Sequence, residues 1–433
     1  MIYLANINKY YGNVRALTDI NLEFNSQGFY AVQGPAKSGK TSLLNIIGSL
    51  DAPTTGKMMI NNEEHDFHST KVVDGYRRHF VSYIFQDSNL IETLTVYDNL
   101  FICMNTVETD KLKINLRIEK ELIDLDILSI KHKKVFNLSL DEKQRVTLAR
   151  AALSHAKVII ADEPTNYLNS NNEKIIMNKL KKMSKTTLVI VGTKKELLAH
   201  LYADYIIKLN DSFVVNEIVK HKMNETMKLI PPTNYSIKYR FANYVKIAIN
   251  DLLDKKDKYM IIVVSLIVGI FGVFLGLIST DFAFLSGNQV HGANVTEQVL
   301  ETSSRAINMA LGASMILLIT IMILIYSVYK DVISENKKKI KILRTLGYSK
   351  NSIYKIFDIQ HLLISFVSAM ILTFLIIIFI IINYFFLQVE EANLLFDWSY
   401  VLFAYVLIFN IPLLFSLLPV FKISNDFPKR SNQ

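Results

Sequence analysis

The sequence lacks several features that would point to other classes of protein. Its 433 residues include a single cysteine, Cys103, which excludes an intramolecular disulfide and a cysteine-based metal site. The first residues, "MIYLANINKYYGNV", do not have the charged and then apolar layout of a secretory signal. No internal repeat or low-complexity tract is evident. We therefore expect the first domain to stay in the cytoplasm.

Composition predicts a membrane part. Hydrophobic residues make up 51% of the chain and its mean hydropathy is +0.25, too apolar for an ordinary soluble enzyme. The formal net charge is +9. In a membrane protein such an excess indicates basic cytoplasmic loops first, and contact with nucleic acid only second. We expect no nucleic-acid partner.

The chain changes character near residue 258. Before it, nearly continuous Val/Ile runs such as "VIIADEP" and "TTLVIVGT" alternate with helix-like segments. Such runs are typical of strands that are buried on both faces of a mainly parallel sheet. Residues 1–215 are therefore predicted to form an α/β domain, and residues 258–433 an all-α membrane domain.

A polar and basic linker, residues 216–257, joins the two predicted domains. Its second part, 241–253, has apolar residues at helical spacing with lysines around them. This pattern predicts an amphipathic helix on the inner membrane surface, with a solvated linker helix as the alternative. Four apolar stretches beyond it are each long enough to cross a bilayer. They are residues 259–280, 306–329, 361–387 and 398–421.

The charges between these stretches predict the topology. Segment 330–359 and the C-terminal tail are rich in lysine and arginine, so they belong on the cytoplasmic side. Segment 388–397 is acidic and segment 281–305 has one arginine, so both belong outside. No predicted span contains an obvious charged residue that would bind cargo.

The stretch "GPAKSGKTS" matches the phosphate-loop pattern G-x-x-x-x-G-K-[ST] and lies between a predicted strand and a helix. Its glycines let backbone N–H groups point at phosphates. Its lysine is suited to bind the β- and γ-phosphates, and the hydroxyl of its threonine is suited to bind Mg²⁺. Downstream, Asp162 ends a buried strand and suits Mg²⁺ coordination, and Glu163 suits activation of the attacking water. The predicted cofactors are ATP and Mg²⁺. The loop residues are Gly34, Pro35, Ala36, Lys37, Ser38, Gly39, Lys40, Thr41 and Ser42.

With these motifs in this order, residues 1–215 resemble the nucleotide-binding domain of ABC transporters. The resemblance implies that Tyr11 stacks on adenine and that Gln86 links Mg²⁺ and the γ-phosphate to the membrane domain. It places Thr193 at the switch position after the last strand. It also identifies "LSLDEKQRV" as the signature that contacts a partner's ATP. The signature residues are Ser139, Leu140, Asp141 and Glu142.

The membrane half resembles the permeases of the MacB/FtsX class, whose cytoplasmic segment is similar to "ENKKKIKILRTLGYSKNSIYKIF". Members of that class carry a large folded domain between spans one and two. Here only residues 281–305 are available, and a segment below about 40 residues rarely folds alone. We therefore expect a host with a single membrane.

Several positions depart from the family pattern. Leu140 and Asp141 replace two glycines, Thr193 replaces a histidine, and Asn169 replaces an aspartate. If Asp141 were ionised about 5 Å from a γ-phosphate, it would oppose closure by about 3 kcal/mol per charge pair. Alternatively, Asp141 only caps its helix and turns away. We expect ATP to bind and hydrolysis by a symmetric homodimer to be slow.

The resemblance implies a dimeric exporter that confers resistance to an antimicrobial peptide, toxin or drug. The alternatives are a non-transporting, FtsX-like membrane regulator and a weak partner subunit beside a paralogous ABC protein.

Overall fold

The computed structural model describes the backbone of residues 1–104, 108, 110–219, 241–290, 297–387 and 398–425. The chain divides into two compact units. The first contains Met1–Asn243 and Lys338–Ile353, and the second contains Tyr244–Lys337 and Tyr354–Ser424. The linker residues 220–240, the predicted outer segment 388–397 and the end of the tail lie outside the described residues.

The order of elements confirms an α/β half followed by a helical half. The strands are β1 Ile2–Tyr11, β2 Val14–Phe24, β3 Gly28–Gln33, β4 Thr55–Ile60, β5 Glu63–Glu64, β6 Val81–Ile84, β7 Val158–Asp162, β8 Leu188–Thr193, β9 Tyr205–Asn210 and β10 Phe213–Val219. The helices are α1 Lys40–Ile47, α2 Thr70–His79, α3 Val96–Met104, α4 Lys111–Asp124, α5 Leu140–Leu153, α6 Ser170–Met183, α7 Glu196–Tyr202, α8 Phe241–Asp254, α9 Lys256–Val290, α10 Glu297–Glu335, α11 Lys337–Thr345, α12 Lys350–Leu387 and α13 Trp398–Asn425.

A six-stranded sheet with the order β10-β9-β3-β8-β7-β6 forms the centre of the first unit. Strands β3, β6, β7, β8 and β9 run parallel, and only the edge strand β10 is antiparallel. Alternate residues of β3 face different cores: Phe29 and Ala31 lie in one, Tyr30 and Val32 in the other. Burial on both faces explains the continuous apolar runs in the sequence.

This topology positions the predicted site. The carboxyl ends of parallel strands share one edge of a sheet, where ligands bind in open α/β folds. The phosphate loop follows β3, Asp162 ends β7 and Thr193 ends β8, and these three strands are neighbours. A smaller antiparallel sheet, with the order β2-β1-β4-β5, carries Tyr11 at the end of β1.

The helices of the second unit form an apolar core of their own, with residues such as Ile262, Phe274 and Leu372 buried in it. Among the described residues, three segments are long and apolar enough to cross a membrane: Lys256–Ser279, Gly312–Glu335 and Lys350–Ile382. The described apolar part of α13, Ser399–Pro412, is shorter than a span, so the fourth crossing remains a prediction. Helix α8 coincides with the predicted amphipathic helix.

Candidate nucleotide site

The phosphate loop is wound so tightly that glycine is required at both ends. A Cβ on Gly34 would lie 2.3 Å from the Leu209 carbonyl oxygen. Gly39 has φ +96° and caps the N-terminus of α1, and a Cβ there would lie 2.4 Å from the Ala16 carbonyl oxygen. The first N–H groups of an α-helix have no partner within the helix, so the start of α1 beside this loop suits an anion.

Lys40 lies inside this loop and is almost fully buried. Its ammonium donates hydrogen bonds to the carbonyl oxygens of Gly34 and Pro35, at 2.8 and 2.7 Å. Burial lowers its pKa, and the carboxylate of Glu163, 3.9 Å away, opposes that shift. A partly desolvated cation in a loop of N–H donors is suited to the β- and γ-phosphates of a nucleotide.

Thr41 and Asp162 fit a magnesium ion. The Thr41 hydroxyl donates to Oδ2 of Asp162 at 2.8 Å. The other oxygen of that carboxylate, Oδ1, is buried without a hydrogen-bond partner among the described residues. An unsatisfied carboxylate oxygen beside a threonine hydroxyl is the donor chemistry that Mg²⁺ uses next to a nucleotide. Burial raises the pKa of Asp162, while the Thr41 hydrogen bond lowers it.

Glu163 is held in a left-handed backbone conformation, with φ +46°. This conformation is uncommon for a residue with a side chain and is often found at functional sites. Its backbone N–H donates to the Gly192 carbonyl oxygen at 2.9 Å, which fixes it beside β8. Burial raises the pKa of the Glu163 carboxyl, and nearby Lys40 lowers it. A half-buried carboxylate with a raised pKa is suited to accept a proton from water.

Tyr11 lies beside the phosphate loop. Its hydroxyl donates to Oδ2 of Asp51 at 2.7 Å, and the Lys9 ammonium lies 4.9 Å from the centre of its ring. Burial and the Asp51 hydrogen bond raise the pKa of Tyr11 to about 12, and Ser42 lowers it through a further hydrogen bond. The ring is thus oriented by Asp51, and stacking on adenine stays a prediction.

Gln86 and Thr193, the other predicted nucleotide contacts, hydrogen-bond to residues of the chain itself. The exposed Gln86 side chain donates to the hydroxyl of Tyr167 at 3.1 Å. Thr193 is buried at the end of β8, where its hydroxyl accepts the Lys195 backbone N–H at 3.0 Å. Neither side chain can carry charge near neutral pH, so the negative charge of phosphates would be balanced mainly by Lys40 and Mg²⁺.

The signature residues form a capped helix start. Ser139 is the N-cap of α5 and accepts the Glu142 N–H at 3.2 Å, while the Glu142 carboxylate accepts the Ser139 N–H at 2.8 Å. Leu140 is 65% exposed. The Asp141 carboxylate accepts a hydrogen bond from the side-chain amide of Asn172 at 2.5 Å. Ser139 is therefore the cap, and Asp141 is bound to the start of α6.

Leu140 lines one cleft with Gln86, Glu163 and Tyr167. The cleft has a volume of about 330 Å³. Glu163 joins this cleft to the phosphate loop, because its carboxylate lies 3.9 Å from the Lys40 ammonium. The signature opens onto the same cleft through Leu140.

Sequence reasoning missed the side chains that hold segment 338–353 on the α/β unit. Arg344 is 2% exposed, and its guanidinium donates to Oδ2 of Asp74 at 3.2 Å and to the Tyr348 carbonyl oxygen at 3.0 Å. Arg78 donates to the Gly347 carbonyl oxygen, and Lys338 pairs with Glu92 at 3.0 Å. The segment therefore packs close to the Gln86 loop. No local pattern marks a pairing between residues 270 positions apart.

A second missed cluster lies in the helical unit. Asp251 of α8 is 1% exposed, and its Oδ2 accepts hydrogen bonds from Gln360 at 2.8 Å and Asn336 at 3.1 Å. The Tyr259 hydroxyl lies 3.3 Å from the same oxygen. Nearby on α12, buried His361 hydrogen-bonds the Tyr329 hydroxyl at 3.0 Å. The contacts of Asp251 bind α8 to the apolar helices, which its amphipathic pattern alone does not reveal.

Comparison with known proteins gives two family matches within the chain. Residues 17–166 match the family described as ABC transporter, and residues 310–428 match the FtsX-like permease C-terminal family. The ABC transporter ATP-binding protein YxdL of Bacillus subtilis is 32% identical over 228 residues, which are 51% of this chain and 87% of YxdL.

Longer relatives match only in part. The macrolide export ATP-binding/permease protein MacB of Campylobacter jejuni is 30% identical over 280 residues, which are 63% of this chain and 43% of MacB. The putative ABC transporter ATP-binding protein MG467 homolog of Mycoplasma pneumoniae is 36% identical over 48% of this chain and 61% of that protein. The chain thus spans less than two thirds of these two relatives.

Among solved structures, the ATP-binding cassette MJ0796, described as a dimeric post-hydrolysis state bound to ADP and Pi, is 30% identical. The match covers 52% of this chain and all of that one, with a TM-score of 0.48.

Proposed function

This chain belongs to the ABC transporter family and carries an FtsX-like permease region, and from that premise we propose that it is an ATP-driven exporter. Its cargo would be an antimicrobial peptide, a toxin or a drug that enters from the membrane. One observation supports the proposal most: Lys40, Thr41, Asp162 and Glu163 converge at the edge formed by β3, β7 and β8.

In the proposed reaction, the loop of Gly34–Gly39 binds the phosphates through its N–H groups. Lys40 exchanges its two carbonyl partners for β- and γ-phosphate oxygens. Mg²⁺, bound beside Thr41 and Asp162, would neutralise charge that develops on the phosphates. Glu163 accepts the proton of the water that attacks the γ-phosphorus, and the bond to the leaving ADP oxygen breaks.

A second copy of the chain, or a paralogous ABC subunit, would complete each site. The exposed start of α5 would supply the Ser139 hydroxyl, which still has a proton to donate after it has accepted the Glu142 N–H. Leu140 and Thr193 would slow hydrolysis, because one adds bulk at the contact and the other cannot carry charge. In this scheme the signature residues Ser139, Leu140, Asp141 and Glu142 face the partner's nucleotide.

The cargo class rests on the relatives and on the short predicted outer segment. MacB of Campylobacter jejuni is described as a macrolide exporter. Residues 281–305 give this chain little sequence for a folded external domain, so we propose that it moves amphipathic molecules within the cell membrane of a single-membrane bacterium. A regulator of cell-wall enzymes would need an external docking surface.

Drug and peptide susceptibility tests the proposal. A sensitive host that expresses the wild-type chain should tolerate several-fold more of at least one amphipathic peptide or macrolide, whereas Lys40→Ala and Glu163→Gln at equal expression should give no protection. Unchanged tolerance across a broad panel would contradict export. Co-purification of a cell-wall hydrolase with the tagged chain would support the regulator instead.

A further inference from the structure

We propose that Asp141 is a positioning residue, which fixes the Ser139 end of α5 through the side chain of Asn172. The inference rests on the proposed function, because Ser139 matters only where a second chain binds ATP. In family terms Asp141 stands where a glycine is usual. Its carboxylate is engaged within its own chain by the Asn172 amide.

The Asn172 side chain is oriented by its two neighbours. Its Oδ1 accepts a hydrogen bond from the guanidinium of Arg145 at 2.6 Å, and its Nδ2 donates to Asp141 at 2.5 Å. A guanidinium only donates and a carboxylate only accepts, so the amide has one orientation that satisfies both. Arg145 is itself held by the Leu125 carbonyl oxygen at 2.9 Å. The three side chains form a continuous polar chain that joins Asp141 and Arg145 of α5 through Asn172 of α6.

Asn169, the other departure near this chain, fixes the opposite side of Asn172. It is the N-cap of α6, and its side-chain oxygen accepts the Asn172 backbone N–H at 2.9 Å. An aspartate at 169 could also cap α6, but it would add a second negative charge to a network that already contains Asp141. The neutral Asn169 and the charged Asp141 are thus compatible with each other. Asp141 and Asn169, two departures from the family pattern, therefore both hydrogen-bond to Asn172.

The network acts on Ser139 through the first turn of α5. Ser139 and Glu142 hold each other by two reciprocal hydrogen bonds, which fix the cap within α5 alone. Asp141 lies between them in sequence and ties this turn to α6. The positive charge of Arg145, one amide away, also offsets the negative charge that Asp141 brings to the signature. A charged residue is thereby accommodated next to the position where a partner's phosphate would bind.

The experiment uses the full-length chain in lipid nanodiscs. The variants are Asp141→Ala, Asn172→Ala and the exchange Asp141→Asn with Asn172→Asp, which keeps one donor and one acceptor between the two positions and an acceptor for Arg145. Asn171→Ala is the matched control, because Asn171 is exposed and adjacent to Asn172. Hydrogen exchange of residues 139–143 without nucleotide reports the network itself, and kcat and KM for ATP report its consequence.

Each alanine variant should speed exchange at 139–143 and lower kcat roughly tenfold, the equivalent of one hydrogen bond to a charged group. KM should change little, since the phosphate loop is untouched. The double variant Asp141→Asn with Asn172→Asp should restore both the hydrogen-exchange rate and kcat to within about threefold of the wild type. General destabilisation would not produce this rescue. The control should match the wild type.

Unchanged exchange in both alanine variants would overturn the network. Faster hydrogen exchange with an unaltered kcat would overturn its role in positioning Ser139. So would a double variant, Asp141→Asn with Asn172→Asp, that performs no better than the single variants. Failure of the proposed function would give a different result, because the wild-type chain would then neither bind nor hydrolyse ATP. Hydrogen exchange of residues 139–143 would still decide whether the network exists.

Discussion

At the scale of single residues, the nucleotide site combines side chains that the sequence identifies with partners that it does not. Lys40, Thr41 and Asp162 follow from a short motif and a strand end, because both features are local. The bond from Asp141 to Asn172 joins residues 31 positions apart, and no local pattern predicts it. The expectation that Asp141 repels a phosphate therefore competes with a geometry in which its charge is held inside one chain.

Leu140 and Thr193 are the two departures that take no part in the network of Asp141, Asn172 and Arg145. We predict that Leu140→Gly with Thr193→His raises kcat for ATP roughly tenfold, because the glycine permits closer approach and the histidine adds a charged hydrogen bond to the γ-phosphate. The measurement is ATPase activity in nanodiscs, with Leu128→Gly as a control at another exposed leucine. A wild-type rate that is typical of the family, and that neither substitution changes, would contradict the hypothesis that ATP hydrolysis is slow.

At the scale of elements, hydrophobic periodicity predicts both the strands of the sheet and the helix α8. Periodicity could not predict that 338–353 joins the first unit, because the ion pair between Arg344 and Asp74 links residues 270 positions apart in the chain. Arg77 and Arg344 share the carboxylate of Asp74. Burial, and secondarily Arg344, lowers the pKa of Arg77 to about 10. The pairing is thus sensitive to the loss of either partner.

We predict that Arg344→Ala destabilises the first unit by about 3 kcal/mol, as expected when one partner of a buried ion pair is removed. The Tyr348 carbonyl oxygen also loses its donor. Thermal unfolding of the full chain should show a lower midpoint, whereas Lys341→Ala, an exposed lysine of α11, should change it by less than about 0.5 kcal/mol. Equal midpoints for the two variants would show that this pair does not hold the segment.

At the scale of the whole molecule, the chain is a membrane protein with its ABC domain on the cytoplasmic side. The charge pattern of the connections predicts this orientation without reference to the fold. Helix length supports three crossings among the described residues, and the fourth depends on the part of α13 beyond Pro412. An even number of crossings returns the tail to the cytoplasm.

Cysteine labelling in cells tests this topology. With Cys103 replaced by alanine, we predict that Lys338→Cys reacts with a membrane-impermeant maleimide only after permeabilisation, since 330–359 is predicted to be cytoplasmic. Arg305→Cys should react in intact cells. Labelling at position 338 in intact cells would show that segment 330–359 lies outside and that the assigned orientation of the spans is wrong.

The most direct test of an ATP-driven machine is the thermal stability of the purified full chain with and without Mg²⁺ and ATP. We predict that the nucleotide raises the midpoint of the wild type, because a ligand that binds only the folded state stabilises it. Lys40→Ala should show no shift, since it removes the buried cation of the phosphate loop, while Lys174→Ala, at an exposed lysine of α6, should respond like the wild type. A wild-type midpoint that does not move with Mg²⁺ and ATP would contradict the account.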